Sequence, residues 1–406
     1  MAEAILKGMR VVEVSAFVAA PLGGMTLAQM GAEVIRIDGL QGGLDYHRWP
    51  VTRDGASLFW AGLNKAKRSV AIDISKPQGR ELAQALITAP GDDAGILLTN
   101  FPARGWLDYD ILKGQRDDLI QLTIQGDRHG GSAVDYTVNP RIGLPYLTGP
   151  QHESGAVNHV LPAWDLVTGQ MAAVGLLAAE RQRSRQGDGQ QVKLALEDVA
   201  LAVMGHLGFL AEAQLGQQRQ RHGNDLYGAF GRDFVSADGQ RIMLVGLTLK
   251  QWRSLCEVTA IGAQVAALGR RLGVDLDLEG QRFIAREELA KLIGPWIAAR
   301  TLEEISAIFE ASGVCWSRYQ SVNTLLTEDS SCSEQNPLFK LLDHPGIGPL
   351  LTPGMPLRFD DHYCSPQPAP RLGADTEAVL MDVLGLSSSE FAALHDQGLV
   401  GTGTAR

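Results

Sequence analysis

The chain lacks the marks of several common protein classes. Its four cysteines, Cys256, Cys315, Cys332 and Cys364, have no C-x-x-C spacing. That argues against a disulfide framework or a cysteine zinc site and fits a reducing cytoplasm. No stretch reaches the roughly 18 apolar residues of a membrane span. The apolar run from Val11 is broken by Glu13, Pro21 and Gly23-Gly24. The opening M-A-E-A-I-L-K-G-M-R has no secretory apolar core. Basic residues are the minority, 36 against 46 acidic for a net charge of −10, which speaks against a nucleic-acid partner. A local Arg/Lys cluster can still hold a small anion. The nine histidines form no H-x-x-x-H or H-E-x-x-H pattern, so no metal site is expected. No G-x-S-x-G elbow marks a serine hydrolase.

What is present is ordinary globular material, 45% hydrophobic and 20% charged over 406 residues, enough for two domains. M-R-V-V-E-V (9–14) reads as a buried strand and S-A-F-V-A-A-P-L-G-G (15–24) as a loop. M-T-L-A-Q-M-G-A (25–32) reads as a helix and E-V-I-R-I-D (33–38) as a second strand. This β-α-β unit predicts a parallel sheet covered by helices. Segments 68–74, 94–101, 119–124 and 190–197 supply further strands. Segments 77–87, 166–183 and 198–213 supply helices. A polar linker follows at 216–225, then a hairpin over 227–247 turning at Asp238-Gly239, then helices over about 250–312. A Pro/Gly-rich connection runs from about 335 to 373 before a short C-terminal helical segment.

Asp38 ends the second strand, where a ribose-binding acid would sit, but no G-x-G-x-x-G accompanies it, so a dinucleotide-binding oxidoreductase is the weaker alternative. The basic run N-K-A-K-R-S (64–69) is either a solvated turn or a phosphate anchor. Asp165 stands where polar sequence gives way to L-V-T-G-Q-M-A-A-V-G-L-L-A-A. As an N-cap it would accept bonds from free N–H groups. The same N–H groups and helix dipole would hold it anionic, and an anionic, partly desolvated carboxylate can attack an activated carbonyl.

Six segments in order resemble the class III coenzyme A-transferases. They are L-K-G-M-R-V-V-E-V-S-A-F-V-A-A-P, L-A-Q-M-G-A-E-V-I-R-I-D, N-K-A-K-R-S-V-A-I-D-I, T-N-F-P-A-R-G, W-D-L-V-T-G-Q-M-A-A-V-G-L-L-A-A and A-P-R-L-G-A-D-T. The resemblance implies an α/β fold with a large Rossmann-like parallel-sheet domain and a smaller α+β domain, in a homodimer of interlocked chains. The large domain is expected over 1–213 and 346–406, the small one over 227–312, with linkers at 214–226 and 313–345. Asp165 is carried over as the catalytic nucleophile. Val18, Ala19, Ile72, Asp73, Ile74, Ser75, Asn100 and Phe101 are carried over as coenzyme A contacts, with Arg36 and Arg104 added on charge. Arg48, Tyr136 and His159 are candidates for a distal carboxylate, and Gly228 for the glycine-rich loop near the nucleophile. No prosthetic group is implied, since coenzyme A is part of the acyl-CoA substrate. Segments 15–29, 42–52, 135–140 and 158–165 resemble members that move CoA between two carboxyls of one C5 dicarboxylate. An intermolecular CoA-transferase is the alternative.

Overall fold

The computed structural model describes residues 5–403. The ends of the expected first and last segments, 1–4 and 404–406, lie outside them.

The first unit comprises Met1–Ile142, Val160–Leu210 and Asp329–Arg406. Its strands are β1 (Arg10–Val14), β2 (Glu33–Asp38), β3 (Arg68–Ile72), β4 (Ile96–Thr99), β5 (Ile120–Gln125) and β6 (Gln191–Ala195). Its helices begin with α1 (Ala19–Gln29), α2 (Leu58–Leu63), α3 (Pro77–Thr88), α4 (Tyr109–Lys113), α5 (Asp135–Arg141), α6 (Ala163–Gln186) and α7 (Leu196–His206). The strands are mutually parallel, and the C-terminal β14 (Val400–Gly401) runs antiparallel on β3. The order β14-β3-β2-β1-β4-β5-β6 reverses direction between β1 and β4. At such a switch point the loops leaving the strand ends diverge and open a crevice for ligands.

Both sheet faces are covered, and the strands bury apolar side chains on each of them. Val11, Val34, Ile96, Leu98 and Leu122 pack with α1 and α6. Val12, Ile35, Ile37, Ile72 and Leu97 pack under α3 and the C-terminal helices. The expected loop at 15–24 is corrected, because α1 already begins at Ala19. Tertiary packing overrides the glycine signal. A Cβ on Gly24 would lie within bonding distance of the buried Glu13 carboxylate, and one on Gly23 would crowd the carbonyl of Gly169 at 3.1 Å. A Cβ on Gly169 would in turn sit 2.7 Å from the Ala19 carbonyl. Small residues here let the two helix backbones touch, which sets the start of α1 beside the start of α6.

The second unit comprises Gly143–His159 and Ala211–Glu328. The single helix expected over 198–213 is two, because Gly208 (φ 79°) breaks α7 from α8 (Phe209–Gln214). The hairpin appears as β7 (Phe230–Val235) and β8 (Arg241–Gly246), joined by β9 (Cys315–Arg318) in an antiparallel sheet. Helices α9 (Leu249–Val258), α10 (Gly262–Leu272), α11 (Glu279–Ile284), α12 (Arg286–Ala298) and α13 (Leu302–Ser312) close its core around Phe230, Trp252 and Phe309. β9 and α14 (Val322–Glu328) lie within 313–345, so that stretch is not linker alone. Segment 143–159 groups with this unit because buried Arg221 donates to the carbonyls of Pro145, Tyr146, Glu153 and Gly155. The connection expected over 335–373 carries two small hairpins in the first unit, β10 (Phe339–His344) with β11 (Gly348–Pro353), and β12 (Arg358–Phe359) with β13 (His362–Tyr363). Helices α15 (Thr376–Leu384) and α16 (Ser388–Asp396) follow.

Candidate active site

The site is built where the sheet changes direction. Asn100, just past β4, grips the loop after β1. Its Oδ1 accepts from the Ala16 N–H at 3.0 Å, and its Nδ2 donates to the Ala16 carbonyl at 2.7 Å. Thr99 adds a hydroxyl bond to the Val14 carbonyl at 2.7 Å. Val18 and Ala19 follow and open α1, both buried.

Beneath this loop lies a buried charge network. The β1–β2 register sets Glu13 opposite Arg36. The Arg36 guanidinium, on a fully buried residue, pairs with Asp38 at 2.9 Å and Asp45 at 2.8 Å and donates to Asn64 Oδ1 and the Ser15 carbonyl. It also lies 4.5 Å from the Trp60 ring centroid. Lys67, equally enclosed, pairs with Glu13 at 2.9 Å and donates to the Pro21 carbonyl. Three expectations are corrected. Arg36 is no coenzyme A contact, because its donors are occupied by partners inside the fold. Asp38 cannot receive a ribose, because Arg36 takes both its oxygens. The run at 64–69 is not a solvated turn, since Asn64, Lys65 and Lys67 are buried. Lys67 is not open to a phosphate either, and Arg68 is engaged with Glu33 and Asp382. The network ties the 15–18 loop to the 43–48 loop and holds both on the sheet.

Asp165 is the third residue of α6, not its N-cap, which is Pro162. The free N–H groups of that helix end are taken by another acid. Asp135, 1% exposed at the start of α5, accepts from the Trp164 N–H at 2.7 Å and the Asp165 N–H at 3.3 Å through Oδ2. Its Oδ1 has no hydrogen-bond partner among the described residues. This corrects the expectation that the helix end holds Asp165 anionic. Burial, and then the Asp135 charge, push the Asp165 carboxyl up to about 7, with Arg48 acting in the opposite sense. Near neutrality a large fraction is protonated, and the ionised form is a stronger nucleophile than an ordinary carboxylate. The exposed Arg48 guanidinium lies between two rings, 5.5 Å from the Phe17 centroid and 5.3 Å from that of Phe59.

A match to the model of CoA-transferase family III spans residues 6–376. The chain belongs to CoA-transferase family III. It is 59% identical over 399 residues to 2-methylfumaryl-CoA isomerase of Chloroflexus aurantiacus, covering 98% of each chain. It is 28% identical over 423 residues to succinyl-CoA:mesaconate CoA-transferase of Haloarcula hispanica, covering 99% of this chain and 98% of that one. A CAIB/BAIF family protein from Brucella suis shares the fold, with a TM-score of 0.74 at 22% identity over 93% of this chain and 99% of that one.

The other family-derived positions are scattered more widely. Ile72 is fully buried in β3, side chain and backbone alike, and its carbonyl accepts from the Ile74 N–H, so the expectation that it touches coenzyme A is corrected. Asp73, Ile74 and Ser75 form the turn after β3, with the Ser75 hydroxyl bonded to Asp73. Phe101 is half-buried and Arg104 exposed. Tyr136 is exposed and donates its hydroxyl to the Val160 carbonyl at 3.2 Å. His159 and Gly228 (φ 81°) belong to the second unit. Sequence reasoning passed over Asp135, Phe17 and Phe59. For Asp135 a signal existed, an acid opening a helix inside the D-Y-T-V-N-P stretch.

Proposed function

We propose that this family III enzyme moves CoA between the C1 and C4 carboxyls of mesaconyl-CoA (2-methylfumaryl-CoA). The observation that carries the reading is the 59% identity, over 98% of both chains, to a relative named for that substrate. The nucleophile is Asp165, supported by its place in the first turn of α6 beside the switch-point loop and by its raised pKa.

In the proposed chemistry, ionised Asp165 attacks the thioester carbonyl and backbone N–H groups stabilise the tetrahedral oxyanion. The C–S bond breaks, leaving CoA thiolate and a mixed anhydride. The thiolate then attacks the aspartyl carbonyl, releasing mesaconate as a carboxylate and leaving CoA as a thioester on Asp165. The C4 carboxylate attacks this thioester, a second anhydride forms, and thiolate attack at C4 restores Asp165. No redox change or net proton transfer is involved. Arg48 is the proposed partner of the carboxylate that is not reacting. Val18, Ala19, Asp73, Ile74, Ser75, Asn100, Phe101 and Arg104 are the proposed coenzyme A contacts. Tyr136 is a further proposed polar contact for the acid. His159 and Gly228 are given no step.

We also propose a homodimer of interlocked chains. Supporting this, α6 exposes an apolar stripe at Val167, Met171 and Val174, one face at helical spacing. Such a dimer would persist on dilution in sedimentation. An intermolecular transfer is the second reading, favoured by the relative named succinyl-CoA:mesaconate CoA-transferase. Incubating the enzyme with mesaconyl-C1-CoA and no added acid separates them. The C4 isomer should accumulate by chromatography. Conversion that requires added acid would favour the intermolecular reading.

A further inference from the structure

Phe17 occupies a backbone conformation that a bulky residue adopts only under constraint. Its φ is 67°, in the left-handed region that glycine enters freely. The constraint is visible on both sides. Asn100 holds Ala16 by its N–H and carbonyl, and α1 begins at Ala19, two residues after Phe17, against α6. A glycine at position 17 would relieve the strain, yet a phenylalanine stands there. Core packing does not account for it, since the side chain remains 37% exposed. What the ring meets is the Arg48 guanidinium, 5.5 Å away, with Phe59 on the same cation at 5.3 Å. Two rings beside one guanidinium hold its position. The strained residue therefore places an apolar ring against a cation whose charge acts on Asp165.

We propose that Phe17 is a specificity-determining wall of the acyl pocket, retaining the released dicarboxylate beside Asp165 between the two half-reactions and excluding free acids. This rests on the intramolecular reading above. The methyl group and double bond of a C5 unsaturated acid lie against the Phe17 ring, while its free carboxylate pairs with Arg48. Held this way, the acid attacks the aspartyl thioester at an effective concentration on the order of 10⁵ M or more, which dissolved acids cannot match. Opening the wall lowers that advantage, and acid from solution then enters.

The test compares wild type with Phe17→Gly, which removes both ring and strain, and with Phe17→Leu, which keeps an apolar wall. Each is incubated with mesaconyl-C1-CoA and isotopically labelled free mesaconate, and the C4 product is weighed by mass spectrometry. Free coenzyme A binding is followed by calorimetry and folding by thermal melting. Wild type should incorporate little label per isomerisation event. Phe17→Gly should raise the ratio of label to isomerisation by about tenfold or more, equivalent to ~1.4 kcal/mol of lost retention. Phe17→Leu should fall between the two. An unchanged ratio in a folded, isomerising Phe17→Gly enzyme overturns the proposal. So does equal loss of isomerisation and exchange with coenzyme A still bound, because the ring then serves the chemistry rather than retention. Failure of wild type to isomerise without added acid would instead overturn the underlying functional reading.

Discussion

Replacing Asp165 by asparagine should stabilise the protein, by an amount that depends on pH. The carboxyl rises from an ordinary 3.8 to about 7 in the folded chain because burial and Asp135 oppose its ionisation. In the unfolded chain it ionises near 3.9. Between those values the native state keeps a proton that the unfolded state has released, so raising the pH across this window costs native stability. Each unit is worth ~1.4 kcal/mol, so the full shift of about three units amounts to ~4 kcal/mol above pH 7. Asparagine has nothing to ionise and escapes this cost. The stability difference, Asp165→Asn minus wild type, should therefore grow by roughly 3 kcal/mol from pH 5 to pH 8 and level off above, with the neutral isostere ahead at pH 8. Urea denaturation at both pH values and one fixed protein concentration measures it. A difference that is flat with pH, or an asparagine variant less stable at pH 8, would refute the reasoning. It would mean that the helix end holds Asp165 as an anion after all.

The charges around Asp165 give paired predictions of opposite sign. Asp135→Asn removes a neighbouring negative charge and still offers a carbonyl oxygen to the Trp164 and Asp165 N–H groups, so the acid limb of the kcat/KM profile should move below pH 7. Arg48→Met removes a positive charge that favours ionisation, so the limb should move above pH 7, with KM for the acyl-CoA also rising. Gly169→Ala pushes a Cβ to 2.7 Å from the Ala19 carbonyl and should cost about 1–3 kcal/mol in unfolding experiments. Lys67→Met leaves Glu13 buried without its ammonium and should cost ~3–5 kcal/mol, while the salt dependence of KM for the acyl-CoA stays that of wild type. A salt slope that flattens in Lys67→Met would return that lysine to the phosphate-anchor role.

The parallel core was legible because β1 and β4 are short apolar runs and β2, β3 and β5 carry β-branched and leucine residues between turns, and the hairpin because Asp238-Gly239 marks it. The start of α1 was not, since Gly23 and Gly24 read as loop until their close neighbours, Gly169 and Glu13, are known. β14 is two residues long and exists only because β3 offers it an edge. Arg36 was misread for a similar reason. Sequence shows its charge but not the register that sets it opposite Glu13, nor the loop that brings Asp45 onto its guanidinium. Asp165 stood out through the resemblance, whereas its ionisation depends on Asp135, thirty residues earlier and brought near only by the packing of α5 on α6. Phe17 gives no sign of its left-handed backbone in the sequence, because the neighbouring Ala16 is held by Asn100, a distant residue just past β4.

The central claim is that Asp165 carries CoA as a thioester between the two carboxyls. Rapid acid quenching during turnover of mesaconyl-C1-CoA, followed by proteolysis and mass spectrometry, tests it directly. The account predicts a coenzyme A adduct on the peptide containing Asp165, formed and consumed at the rate of isomerisation and absent from Asp165→Asn, which should not turn over. Isomerisation that proceeds at the wild-type rate in Asp165→Asn, or an adduct on a different residue, would contradict it.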